Sequence, residues 1–137
     1  MPNHWLLKTE PSTYSFARLL KEGRAVWDGV RNNLALLHLR AMKEGDRVLI
    51  YHSGPEMAVV GTARIVAAAY LDPGQDDPKL VVVDVAPDAP LPQAVPLAAI
   101  KADPALADMP LIRMSRLSVM PVTPEQWRRI LAMGAGK

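Results

Sequence analysis

One stretch constrains the fold more than any other. From Met57 to Leu71 the chain alternates, and Val59, Gly61, Ala63, Ile65, Ala67 and Ala69 on one side are all apolar and mostly small. Period-two alternation marks a strand with one buried face. A row of small side chains on that face suits a tightly curved sheet, where glycine permits close approach. Shorter strands are expected at His4 to Lys8, Ala25 to Trp27, Asp46 to Ser53, Leu80 to Ala86 and Leu117 to Val122. Two helices are expected early. One follows an N-cap at Ser15, buries Phe16, Leu19 and Leu20, and stops at Gly23. The other follows Asn32 and runs from Asn33 to Lys43, with Leu34, Leu37 and Ala41 at helical spacing and Leu36 and Leu39 widening the stripe. Leu97 to Lys101 reads as a helical turn, and Thr123-Pro124-Glu125 opens a last helix that buries Trp127, Ile130 and Leu131. Pro87 to Pro96 carries four prolines and reads as an irregular crossing, and Ala102 to Pro110 as a loop. Strands interspersed with helices indicate one α+β domain over residues 1–137: a mixed sheet curling into a small β-barrel flanked by short helices, not a doubly wound fold.

Several chemistries are excluded on residues alone. The chain has no cysteine, which removes disulfides, thiol catalysis and cysteine-held metals. His4, His38 and His52 lack metal-binding spacing. Tyr51-His52-Ser53 suggests a hydrolase, but neighbours on a strand point to opposite faces, so His52 cannot act on Ser53. No phosphate loop or dinucleotide fingerprint is present. We therefore expect no catalytic residues, no metal and no cofactor. No apolar run approaches the ~20 residues needed to span a bilayer, and the first residues lack the regions of a signal peptide. The expected setting is the cytoplasm, or the nucleus in a eukaryote, with no membrane partner. The formal net charge of +2 suits an anionic partner held through few phosphate contacts.

Four segments taken together resemble an EVE domain, a branch of the PUA-like group. They are Trp5-Leu6-Leu7-Lys8-Thr9-Glu10-Pro11-Ser12 with Tyr14-Ser15; Val26-Trp27-Asp28-Gly29-Val30-Arg31-Asn32-Asn33; Gly45-Asp46 with Tyr51-His52-Ser53; and Arg116-Leu117-Ser118-Val119 with Pro121-Val122. The resemblance implies a PUA-like mixed β-barrel flanked by short helices and kinship with the YTH and ASCH domains. It also implies recognition of a modified base in DNA or RNA, through a pocket beside the first strand and the Gly-Val-Arg-Asn segment. One departure is the helix after Asn32, which is often more polar in that family and here carries Leu34, Leu36 and Leu37. That face offers a competing expectation, a protein-interaction module forming a homodimer.

Reading a base requires a stacking surface and hydrogen bonds to its edge. Trp27, before the Asp28-Gly29 turn, reads either as the stacking platform or as core, and Trp5 likewise. Lys8 and Glu10 lie on one side of the first strand and either face the ligand or pair with each other. Ser12 either bonds a base edge or stabilises the turn after Pro11. Gly29 and Val30 bring backbone close, Arg31 supplies donors, and Asn32 either pairs with a base edge or only caps its helix. Tyr51 and Ser53 share one strand face and His52 takes the other, and either face could form a wall. Arg113 and Arg116 are the candidates for phosphate. The favoured function is a reader of modified bases. The alternatives are the interaction module and, third, an enzyme on a small nucleotide-like ligand.

Overall fold

The computed structural model describes residues 3–136, so the outermost residues of the expected 1–137 domain lie outside it. The chain is an α+β fold built on one six-stranded mixed sheet in the order β2-β5-β4-β3-β1-β6. The strands are β1 (His4–Thr9), β2 (Ala25–Trp27), β3 (Arg47–His52), β4 (Ala58–Leu71), β5 (Val81–Pro96) and β6 (Val119–Val122). The pair β1–β3 is parallel, and every other neighbouring pair is antiparallel. Leu6 and Leu7 point to opposite faces of β1, yet both are fully buried, so the sheet is covered on both sides there. A buried carboxylate fastens this region. Asp46, 3% exposed, accepts hydrogen bonds from the Asn3 amide (3.0 Å), Trp5 Nε1 (2.8 Å) and the Lys43 amide (3.0 Å).

The expected barrel is not formed, because the sheet curls without closing. Its edges, β2 and β6, are three and four residues long and do not pair with each other. Pro121 in β6 has no N–H to offer a further strand, which is a typical way of ending a sheet.

The alternation in β4 holds where the sheet is covered: Val59, Gly61, Ala63 and Ile65 are buried. Ala67 and Ala69 are only half-buried, because register shifts beyond Ile65 carry the strand past the core. Gly61 serves a side chain, not a neighbouring backbone: a Cβ there would collide with the Phe16 ring. The proline-rich segment corrects the expected crossing. β5 continues through it to Pro96, but the ladder steps from Val59↔Val95 to Gly61↔Pro90, so residues 91–94 leave it. Beyond the short pairing with β2 the outer edge of β5 is open, and a missing N–H there leaves no ladder bond unmade.

The helices are α1 (Phe16–Glu22), α2 (Asn33–Ala41), α3 (Leu97–Ala102), α4 (Pro110–Arg113) and α5 (Pro124–Met133). Ser15, Asn32 and Thr123 cap α1, α2 and α5 as expected, Gly23 closes α1 at φ 77°, and Gln126 completes a capping box with Thr123. In α1, Leu20 is exposed while Phe16 and Leu19 are buried. In α2 the buried face is Ala35, Leu36 and Leu39, rotated from the expected stripe, and Leu37 is 57% exposed. The helix thus spends its central leucines on its own sheet. The segment from Ala102 to Pro110 holds a short 3-10 turn, Pro104–Leu106, and leads into α4.

The Gly61–Phe16 contact gives a direct test. Gly61→Val should destabilise the fold by about 1–3 kcal/mol through overpacking, read by urea denaturation. The same change in a Phe16→Leu background should cost measurably less, because the colliding ring is gone.

Candidate functional site

Where the sheet stays open, a hollow of about 500 Å³ lies between its two edges. One wall is the end of β1 and the segment after it, Lys8 to Glu10 with Thr13 and Tyr14. The other is β2 and the following turn, Val26 to Val30, and Ser118, just before β6, completes it. The turn is possible because Gly29 adopts φ 78°, a left-handed conformation costly for other residues, and nothing crowds its α-carbon.

Trp27 is both core and wall. It is 8% exposed, and Tyr14 meets it edge-on, with ring centroids 6.1 Å apart and planes at 89°. Tyr14 is held in turn. Its hydroxyl donates to Glu22 Oε1 at 2.6 Å, its carbonyl accepts from Thr9 Oγ1 at 2.6 Å, and the Arg18 guanidinium lies 5.2 Å from its ring centre. Burial, and then the bond to Glu22, pushes the Tyr14 phenol up to about 12. Lys8 crosses the opening: its ammonium donates to the Ser115 carbonyl at 2.7 Å and sits 5.7 Å from the Tyr51 ring centre. Burial lowers its pKa below the usual lysine value. The Glu10 carboxylate accepts from the Ser12 amide and hydroxyl, at 3.3 and 3.2 Å, and packs against Gly54, where a Cβ would strike it. Asp28 is exposed on the opposite rim. One ammonium and two carboxylates therefore ring an opening with an aromatic wall.

Of the residues singled out in the sequence, Lys8, Glu10, Trp27, Gly29 and Val30 line this hollow. Trp5 does not: it is buried, bonded to Asp46, with its ring 6.0 Å from that of His38. Ser12 steadies Glu10 from outside the wall. Tyr51 is buried beneath Lys8. His52 is a structural clamp. The Phe16 amide donates to its Nε2 at 3.0 Å, so the ring proton sits on Nδ1 and goes to Glu56 Oε2 at 3.0 Å, tying β3 to the start of α1. The Ser53 amide bonds the Thr9 carbonyl at 2.9 Å. Asn32 spends its side-chain oxygen on the Ala35 amide at 3.0 Å. Arg31 is exposed beside a minor depression of about 20 Å³. Asn32, Arg113 and Arg116 instead share a second hollow of about 410 Å³. It adjoins the first, since Lys8 of one bonds Ser115 of the other.

Thr9, Thr13, Tyr14, Val26, Asp28 and Ser118 line the first hollow without having been singled out as ligand contacts. The signal was present for Thr9, Tyr14, Val26, Asp28 and Ser118, which all lie inside the family-like segments; Thr13 alone of the six lies outside them. Among the described residues no group of three or more histidine, aspartate or glutamate side chains is placed to hold a metal.

Comparison with known proteins bears on this geometry. The family model for the EVE domain matches residues 3–133. Thymocyte nuclear protein 1 of Mus musculus is 33% identical over 167 aligned positions, covering 97% of this chain and 74% of that protein. Among solved structures, Rpa0253 of Rhodopseudomonas palustris is 47% identical, with TM-score 0.92 over 96% of this chain and 92% of that one. The human THYN1 protein, solved in complex with 5-methylcytosine-containing DNA, is 32% identical, with TM-score 0.90 over 98% of this chain and 99% of that one.

The wall behind Trp27 has a titratable reporter. Tyr14 should ionise near pH 12 in an ultraviolet titration, against about 10 in the unfolded chain. A phenol held up in the folded state supports folding below its unfolded pKa, and that support is lost as pH rises toward 12. Glu22→Gln should move the Tyr14 midpoint downward and leave melting at pH 7 little changed. An unmoved midpoint would show that Glu22 does not set it.

Proposed function

The chain belongs to the EVE domain family, and from that membership we propose that it is a nucleic-acid-binding module that reads a modified base in the hollow between β1 and β2. One observation carries the reading: the hollow of about 500 Å³ joins an aromatic wall, bare backbone at Gly29 and a charged rim within one opening. Its volume lies within the about 300–1,000 Å³ usual for small-ligand sites. The THYN1 complex supports DNA carrying 5-methylcytosine as the ligand class to examine first.

The energetics assign each wall a part. A base extruded from a duplex must recover the few kcal/mol lost on unstacking. Stacking on an aromatic ring returns ~1–3 kcal/mol. Trp27 exposes little of its ring, so the rim must supply the rest. Carboxylates accept from the exocyclic amino group of cytosine, a role open to Asp28 and Glu10, and Lys8 can donate to a ring carbonyl. Val26 and Val30 offer the apolar surface against which a 5-methyl group would rest. Such a site works by binding and asks no catalytic step of any residue.

Anisotropy titrations with matched oligonucleotides test this, single- and double-stranded, DNA and RNA, with cytosine or 5-methylcytosine. The methylated strand should bind more tightly. Asp28→Ala, on the exposed rim, should weaken that binding by about tenfold, within the ~1–3 kcal/mol assigned to one base-edge contact. Trp27→Phe should weaken it as well and is preferable to alanine, which would cost about 3–5 kcal/mol of fold stability. Equal binding of methylated and unmethylated strands of every type would contradict the proposal.

A further inference from the structure

The second hollow differs from the first in its charge. It has a volume of about 410 Å³ and is lined by Asn32, Leu34, Arg113, Ser115 and Arg116 among others, with no carboxylate. Arg116 is exposed and makes no ion pair among the described residues. Among the described residues Arg113 reaches only Asp108, at 3.4 Å, with both side chains largely in solvent (66% and 86% exposed), a contact of little strength. Two guanidinium groups thus face one opening with almost nothing to neutralise them. The first hollow, by contrast, carries Glu10 and Asp28. The two openings meet where Lys8 bonds the Ser115 carbonyl at 2.7 Å.

We infer that the second hollow seats the sugar–phosphate backbone flanking the base. The inference rests on the base-reading proposal and adds to it the place where the strand's backbone lies. Guanidinium forks match phosphate oxygens bidentately, and charge-assisted bonds of this kind are the strong ones. Leu34, Met114 and Leu117 supply apolar surface for a sugar. Carboxylates around the base and arginines around the phosphate divide the labour: the first reads identity, and the second supplies affinity without reading sequence.

The test is the salt dependence of affinity for Arg113→Ala, Arg116→Ala, the double variant and Arg116→Lys. Each is measured on methylated and unmethylated duplexes, with calorimetry on free 5-methyl-2′-deoxycytidine alongside. Both side chains are exposed, so the variants should fold, and their melting curves check this. The plot of log affinity against log salt should become shallower by about 0.9 per arginine removed. Affinity for methylated and unmethylated duplex should fall by the same factor, Arg116→Lys should keep the wild-type slope, and nucleoside binding should be unchanged. A double variant with the wild-type slope overturns the backbone seat while leaving a methyl-selective pocket standing. Shallower slopes without any methyl preference in the wild type overturn the base reading and leave the backbone seat. Absence of binding to every oligonucleotide overturns both.

Discussion

Two parallel strands cannot be joined by a tight turn, and that constraint organises this molecule. β1 and β3 lie side by side in the same direction, so the chain between them must run back to the end of the sheet where β1 began. It spends that excursion on α1, β2 and α2, and it places β2 at the far edge, against β5. The link from β2 to α2 therefore runs past the place where the sheet would otherwise close. Trp27, Asp28 and Gly29 stand there because the crossover passes there, facing the end of β1. The opening in the sheet and the candidate site are one feature.

A site at the edge of a sheet is at risk of being loose, and the surroundings counter this. Thr9 holds Tyr14, Tyr14 holds Glu22, and Arg18 bonds Glu22 at 3.1 Å, so the ring that meets Trp27 is anchored on both sides. His52 ties the start of α1 to β3, and Asp46 ties β1 to the end of α2. These contacts fix the walls before any ligand arrives, which is the arrangement a selective pocket requires. Asp28 on the rim and Arg116 in the neighbouring hollow are exposed and make no ion pair among the described residues, so a ligand would meet them there.

Local chemistry made much of this legible. The caps at Ser15, Asn32 and Thr123 and the stop at Gly23 are short-range devices, and their residues announce them. The β4 alternation is visible because its small residues face the core as far as Ile65. What escaped depends on distant partners. Prolines in β5 are tolerated because no further strand pairs with its outer edge beyond β2, which the proline segment itself cannot reveal. Closure of the sheet turns on two short edges far apart in sequence. The buried stripe on α2 is rotated from Leu34 and Leu37 toward Leu36 and Leu39 because leucines lie all round the helix and only the sheet beneath selects among them. The family-like segments supply most of the lining of the first hollow, yet Trp5 and Lys8 sit on opposite faces of β1, and the aspartate that claims Trp5 is 41 residues away.

The central claim is that the gap between β2 and β6 is where a methylated nucleic acid is held. An amide proton–nitrogen correlation spectrum of the labelled chain, titrated with a 5-methylcytosine oligonucleotide, tests this residue by residue. The account predicts that the largest shifts fall on Lys8 to Tyr14, Val26 to Asn32 and Ser115 to Ser118, with the Trp27 indole signal among them. Shifts centred on the exposed Leu37 face of α2, or a spectrum left unmoved at saturating oligonucleotide, would contradict it.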